Sequence, residues 1–300
     1  MQACFFLLNN VKVANIGHVK VKDGISNGYD YLCSANELME LHTFYKYQGA
    51  GNDFVIIDNR NGLFERENTG LVRRLCDRRF GIGADGLMLL QGAEGYDFEM
   101  VYYNADGNEG SMCGNGGRCI VAFAQDIGVI GSETDFLAVD GPHHARMHDR
   151  VGWVSLQMAK VDHIGRDGDA YVLDTGSPHY VKMVDDLAKY PVVAEGRDIR
   201  YSDSYRDKGI NVNFVEPEED GYFVRTYERG VEDETLACGT GATAVALAMA
   251  ARAGKEGPIE TPIRAAGGRL NIRFNRDGNR FTEIFLEGPA VFVFRGEIAW

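Results

Sequence analysis

Two cysteines stand where a thiol can act as an acid or a base. Cys113 follows Tyr103-Asn104-Ala105-Asp106-Gly107 and opens the stretch Cys113-Gly114-Asn115-Gly116-Gly117-Arg118-Cys119, after which comes the apolar run Ile120-Val121-Ala122-Phe123-Ala124. Small residues predict a turn and the apolar run a helix, so the thiol falls at the helix mouth. A helix start leaves backbone N–H groups unpaired and carries a partial positive charge, so it can hold a carboxylate and lower the pKa of a cysteine placed there. The same order recurs later: Tyr227-Glu228-Arg229-Gly230 leads through Glu234-Thr235-Leu236 to Ala237-Cys238-Gly239-Thr240-Gly241-Ala242-Thr243, then Ala244-Val245-Ala246-Leu247-Ala248. Two such mouths predict two related lobes facing one ligand.

A pair of thiols so placed can invert a stereocentre. One, as thiolate, removes a proton from carbon while the other, as thiol, returns one from the opposite face. The α-carbon of an amino acid is a very weak acid, so the charge that develops on its carboxylate must be held by preorganised donors. Two helix N-termini supply them without a metal or a pyridoxal cofactor. An unperturbed thiol pKa of about 8.5, lowered at a helix start, suits acid–base work near neutral pH. Most cysteines are buried small hydrophobes, the reading adopted for Cys4, Cys33, Cys76 and Cys119; Cys113 and Cys238 differ in their glycine neighbours and their repeated context.

The elements that must position these residues are mostly strands. Residues 1–42 stand apart, with an alternation at Val11/Val13 and Val19/Val21 that suits a strand pair and a weakly helical stretch over 34–41. They carry no assignable chemistry, and a start at Met39 is as good an account of them as an extra hairpin. From Thr43 the texture turns β-like: strands are expected at 44–47, 54–58, 87–90 and 98–103, with a helix over 71–79. After the first cysteine helix, strands are expected near 136–139, 151–158, 171–173, 179–184, 211–215, 221–227, 267–272 and 284–286. A final strand at 291–294 must pair somewhere. Two lobes follow, 43–158 with 289–300 returning to it, and 159–288, each strand-rich around one central helix.

Length and composition agree. A chain of 300 residues exceeds the usual single domain, and 45% hydrophobic with 25% charged residues is ordinary for a soluble globular protein. A formal net charge of −13 argues against a nucleic-acid partner. Six cysteines are too sparse for a disulfide framework, no paired C-x2-C spacing signals zinc, and no apolar run approaches the ~20 residues that span a bilayer. The patch Cys4-Phe5-Phe6-Leu7-Leu8 lacks a preceding basic residue and makes a poor signal peptide. A reducing, cytoplasmic setting with no membrane partner is expected.

The motifs G-A-G-N-D-F at 49–54, G-I-G-A-D-G at 81–86, Y-N-A-D-G-N-E at 103–109, C-G-N-G-G-R-C at 113–119, Y-E-R-G at 227–230 and A-C-G-T-G-A at 237–242 together resemble the diaminopimelate epimerase family from about Thr43 to the C-terminus. The resemblance implies an α/β fold of two pseudo-symmetric lobes, each a mostly antiparallel sheet wrapped around a central helix, with the site between them. It implies cofactor-independent, two-base epimerisation of LL-2,6-diaminopimelate to the meso form, on the route to lysine and peptidoglycan, by a homodimer with no metal. On matching positions Cys113 and Cys238 are the bases, and the backbone at Gly114-Asn115 and Gly239-Thr240 binds the reacting α-carboxylate. Asn52, Asn104, Asn211, Glu228 and Arg229 match the remaining ligand-binding positions. An arginine can grip the distal carboxylate, while asparagine carbonyls and a glutamate accept from the distal ammonium. Where many relatives have Gly-Asn-Pro-His, this chain has Gly176-Ser177-Pro178-His179, a hydroxyl in place of an amide, with His179 kept as a supporting residue. The turn Gly267-Gly268 lacks a proline that often precedes it.

Other chemistries use parts of this set. A cofactor-free racemase of another amino acid, of the proline racemase type, keeps paired cysteines but has no use for Arg229 with the asparagines. The phenazine-biosynthesis isomerase type lacks the cysteine pair. A thiol redox switch is a different class of reading, in which closure of Cys113–Cys238 as a disulfide would abolish activity. Metal binding has little support, since Cys113 and Cys119 are not spaced as a chelating pair and His143-His144 falls in an expected turn.

Overall fold

The computed structural model describes the backbone of residues 11–13, and residues 40–110 and 112–300. The alternation at Val19/Val21, the helical stretch up to residue 39, the Met39 start and the apolar patch at 4–8 lie outside the described residues. Val11–Val13 is a strand, paired antiparallel with residues 296–298.

The chain writes one unit twice. In the first, Leu41–Gly49 pairs antiparallel with Asn52–Asp58, which runs parallel to Gly86–Gln91 after a crossover through helix α1, Thr69–Cys76. Gly86–Gln91 pairs antiparallel with Glu99–Asn104, which meets Glu133–Ala138 in parallel after a crossover through helix α2, Gly114–Asp126. Gly141–Met147 and Trp153–Gln157 complete the ladder antiparallel. The second unit repeats the sequence of pairings. Ala170–Asp174 and Pro178–Met183 are antiparallel, the latter parallel to Asn211–Glu218 after helix α3, Val192–Arg200. Asn211–Glu218 and Gly221–Glu228 are antiparallel, and Gly221–Glu228 is parallel to Gly257–Ala265 after helix α4, Gly239–Arg252. Gly268–Asp277 and Arg280–Pro289 follow antiparallel. The units join where Trp153–Gln157 pairs with residues 285–289, and Val291–Ala299 runs back to lie antiparallel beside Leu41–Gly49.

Each central helix is enclosed because apolar and small residues occupy most of its circumference. In α2, Ile120, Val121, Phe123 and Ala124 are buried among Tyr47, Phe54, Met88 and Phe136. In α4 every residue from Gly241 to Ala250 is buried, packed against Ile263, Leu270, Ile272 and Leu286 of the second unit. A helix apolar on all sides is stable only when wrapped in this way. Each large side chain so enclosed contributes about 1.5–3 kcal/mol.

Three local expectations are corrected. The helix over 71–79 stops at Cys76, because Asp77 turns extended and its carboxylate accepts the Arg79 and Phe80 N–H groups at 2.7 Å. A further helix, α3, forms beside the two central ones, its Gly196 seated where a Cβ would come within 2.4 Å of Tyr227 Cβ. His143 and His144 lie in the strand Gly141–Met147 and not in a turn. Among the described residues no helix is long and apolar enough to cross a membrane.

Candidate active site

The two cysteines occupy equivalent places. Cys113 is the N-cap of α2 and Cys238 the N-cap of α4, both with extended backbone. The helices meet mouth to mouth at the junction of the units. A Cβ built on Gly114 would lie 3.8 Å from the Gly239 Cα, and one on Gly239 would lie 3.6 Å from the Gly114 Cα. Both hypothetical atoms would strike Leu286 Cδ2, at 2.8 and 2.7 Å. Glycine at both first positions lets the two helix starts share one apolar floor without displacing Leu286. The first intrahelical bonds run from the Gly117 N–H to Cys113 O and from the Ala242 N–H to Cys238 O, so the N–H groups of the three residues after each cysteine have no helical partner.

Asparagines tie this centre together across the units. Asn115 Nδ2 donates to Ala237 O at 3.0 Å and to Asn52 Oδ1 at 3.4 Å, and the Cys113 thiol lies 3.7 Å from the same Asn52 oxygen. Asn52 Nδ2 in turn donates to Asp85 at 2.7 Å, which fixes the amide with its oxygen toward the thiol. On the other side, Cys238 Sγ lies 3.4 Å from Thr240 Oγ1, and Thr175 Oγ1 donates to Thr240 O at 2.9 Å. Gly241 is demanded by its surroundings, since a Cβ there would fall 2.3 Å from Asn213 Oδ1.

A second cluster comes from the second unit. Asn211 Nδ2 donates to Ser177 Oγ at 2.9 Å, Arg229 Nη2 reaches the same oxygen at 3.3 Å, and the Arg229 N–H donates to Asn211 Oδ1 at 2.8 Å. The Ser177 hydroxyl thus stands between asparagine and arginine. Glu228 accepts from Thr235 Oγ1 at 2.9 Å, and burial pushes its carboxyl up from the ordinary glutamate value. Asn104 is exposed and accepts from Tyr102 OH at 3.1 Å; it shares no hydrogen bond with Asn52 or Asn115.

The thiols do not follow the simple helix-mouth expectation. Burial raises Cys113, and raises Cys238 far above the free-thiol value, with the Glu228 carboxylate adding to the shift at both. The facing N–H groups of Gly116 and Asn115 favour the Cys113 thiolate, and Thr240 and the Gly241 N–H favour that of Cys238. Desolvation outweighs them, so the net direction at both sulfurs is upward, toward the thiol. His179 is fully buried and burial, then the charge of Arg229, lowers its pKa to about 3. Asn213 Nδ2, whose amide is oriented by Thr226 donating to Oδ1, lies 3.1 Å from His179 Nδ1, which puts the ring proton on Nε2. That Nε2 is buried and has no hydrogen-bond partner among the described residues.

Residues 44–164 and 171–293 match the family described as diaminopimelate epimerase. The chain belongs to that family. It is 53% identical over 255 residues to a diaminopimelate epimerase of Flavobacterium psychrophilum, a match covering 85% of this chain and 99% of that one. A diaminopimelate epimerase of Chlorobaculum tepidum is 45% identical over 260 residues, covering 83% of this chain and 98% of the other. Among solved structures, a PhzF-family phenazine biosynthesis protein of Bacillus anthracis superposes with a TM-score of 0.66 at 16% identity, over 87% of this chain and all of that one. A probable proline racemase of Agrobacterium radiobacter gives 0.63 at 15% identity, over 86% of this chain and 92% of that one. At those identities the likeness is one of fold, and it supports the mixed α/β architecture described above.

Sequence reasoning missed several residues at this centre. Asp85, Thr175, Asn213 and Leu286 orient or floor the named groups, and Arg118 of α2 is fully buried. Arg118 stands in the C-G-N-G-G-R-C motif, but an arginine there reads as solvated, and only the structure shows its burial.

Proposed function

We propose that this enzyme is an isomerase that interconverts LL- and meso-2,6-diaminopimelate without a cofactor, with Cys113 and Cys238 as the two bases. The observation that carries this reading is the pair of cysteine N-caps whose helices meet at Gly114 and Gly239. A substrate α-carboxylate seated over the two mouths receives the unpaired N–H groups of both, and its α-carbon then lies between the sulfurs. One thiolate takes the α-proton, the electron pair moves into the carboxylate as an enediolate, and the opposite thiol returns a proton to the other face. The cysteines exchange roles in the reverse direction. Asn52 and Asn115 line the first mouth, Thr240 the second.

The distal end of the substrate is assigned to the second cluster. Arg229, beside Asn211 and Ser177, receives the distal carboxylate, and Glu228 with Asn104 accepts from the distal ammonium. His179, neutral and behind Asn213, supports the wall. With both thiols raised by burial, the N–H groups facing each sulfur are what favours the thiolate the reaction needs. The reading extends to a cytoplasmic homodimer, checked by sedimentation of the purified protein.

Proton NMR of LL-diaminopimelate in deuterated buffer with reduced enzyme tests it. Loss of the α-proton signal with appearance of the meso product is expected, abolished in Cys113→Ala and in Cys238→Ala and absent with proline or glutamate. Exchange with proline but none with diaminopimelate would overturn the substrate; activity in either cysteine variant would overturn the two-base assignment.

A further inference from the structure

The proposed reaction leaves Arg118 without a task, and its surroundings make its presence costly. The side chain is fully buried, and among the described residues its hydrogen-bond partners are all neutral: Nη1 donates to Gly114 O at 3.1 Å, Nη2 to Asn115 Oδ1 at 2.9 Å, and Nε points to Pro289 O at 3.5 Å. The Glu228 carboxylate, whose charge acts on both thiols, bonds to Thr235 and not to Arg118. A guanidinium buried without an anion is strongly unfavourable. Its position adds to the penalty: Arg118 opens the second turn of α2, and its guanidinium reaches back to Gly114 and Asn115 of the first, where the helix already presents positive charge. A Cβ on Gly239 would lie 3.9 Å from Arg118 Nη1, so the same charge also stands behind the mouth of α4.

The repeat shows that the backbone contact alone does not require an arginine. The equivalent position of α4 is Thr243, fully buried, whose Oγ1 donates to Gly239 O at 3.0 Å just as Arg118 Nη1 donates to Gly114 O. A hydroxyl serves that bond without charge. What Arg118 adds is a permanent cation on one side of a centre otherwise built twice alike, behind two helix mouths of the same sign. Such a centre is completed by an anion from outside.

We infer that Arg118 is a positioning residue whose fixed charge draws the substrate α-carboxylate onto the paired helix mouths and favours the thiolate at Cys113 over that at Cys238. This rests on the amino-acid epimerase reading above. The fork to Asn115 gives it a second, geometric duty, since it holds the Asn115 amide with Nδ2 toward Ala237 and Asn52.

The test compares Arg118→Lys, which keeps the charge and loses the fork, with Arg118→Met, which loses both. In the reduced, substrate-free protein, iodoacetamide labelling of the Cys113 and Cys238 peptides is followed by mass spectrometry across pH 6.5–9.5. Arg118→Met is expected to slow labelling of Cys113 roughly tenfold relative to Cys238, as a one-unit shift would, while Arg118→Lys retains most of the wild-type ratio. With diaminopimelate, Arg118→Met is expected to raise KM more than it lowers kcat. An unchanged labelling ratio in Arg118→Met, or equal damage in both variants, would overturn the charge role and leave a packing role only. Should Arg118→Met not fold, Arg118→Gln, which keeps a donor for Gly114 O, carries the same comparison. Labelling is read without substrate, so a wild-type protein inert toward diaminopimelate would refute the proposed reaction and leave the labelling arm to decide on Arg118.

Discussion

At the scale of single residues, what decides a position here is whether its neighbours can give way. Gly116 and Gly241 follow the two cysteines at the same spacing, yet they predict opposite outcomes for alanine. A Cβ on Gly116 would meet Met88 Sδ at 3.2 Å and Met100 Cε at 3.4 Å, flexible ends that can turn aside. On Gly241 it would meet Asn213 Oδ1 at 2.3 Å, and Asn213 is held by Thr226, His179 and the Tyr180 carbonyl. Gly241→Ala is therefore expected to cost about 1–3 kcal/mol in urea unfolding despite the better helix propensity of alanine, and Gly116→Ala to fall within about 0.5 kcal/mol of wild type. His179 belongs to the same scale. Its folded pKa of about 3 lies below the ordinary 6.5, so it binds its proton more weakly when folded. The stability this contributes is fully present above pH 6.5 and is lost as pH falls from 6.5 toward 3, at about 1.4 kcal/mol per pH unit once the unfolded chain is protonated. Urea midpoints measured from pH 7 to 5 should fall in wild type and stay flatter in His179→Gln; equal slopes would mean that His179 is not the group responsible.

At the scale of elements, the turns that carry site residues are held by turns of the other unit. Ala50-Gly51, just before Asn52, packs on the turn at Gly267, where a Cβ would fall 1.8 Å from Ala50 O; the Gly267 N–H also donates to Leu236 O at 2.7 Å, two residues before Cys238. Gly267→Ala must push apart the turns bearing Asn52 and Cys238. A destabilisation of about 1–3 kcal/mol is expected, with a fall in kcat/KM of roughly tenfold or more, the equivalent of about 1.4 kcal/mol. Wild-type kinetics in this variant would sink that account. The elements also show what was legible in sequence. The two helix mouths were, because cysteine, glycine and an unbroken apolar run occur together twice, and so were most strands, from their Val, Ile and Phe content. Helix α3 was not: its sequence begins with two valines and holds a central glycine, and it forms because Val192 and Gly196 pack against the Tyr227 region. The strand Gly141–Met147 was hidden by its Pro142, His143, His144 and Arg146, tolerated because it is only half-buried. Arg118 was hidden for the opposite reason, since an arginine reads as solvated until its burial is seen.

At the scale of the molecule, the two units share one hydrogen-bonded ladder and not merely a cleft. Residues 153–157 and 285–289 pair across the junction, and at its centre the buried Glu287 accepts from Ser155 Oγ of the first unit at 3.0 Å and from Asn271 Nδ2 of the second at 2.8 Å. Arg273 Nε approaches the same carboxylate at 3.4 Å. Above that seam the helix mouths touch at Gly114 and Gly239, and Asn115 bonds to Ala237. A seam of strand pairing, buried polar bonds and a shared apolar floor couples the folding of the two units, because neither can lose its central helix without opening the other's. Calorimetry of the wild-type protein is therefore expected to show one transition. Glu287→Ala leaves Ser155 and Asn271 without their shared acceptor and Arg273 without its anion, and should lower stability by about 3 kcal/mol. If the seam is what couples the units, that loss appears as a lower and broader transition that begins to split into two; two well-separated transitions already in wild type would show instead that the units fold independently and that the site is assembled only afterwards.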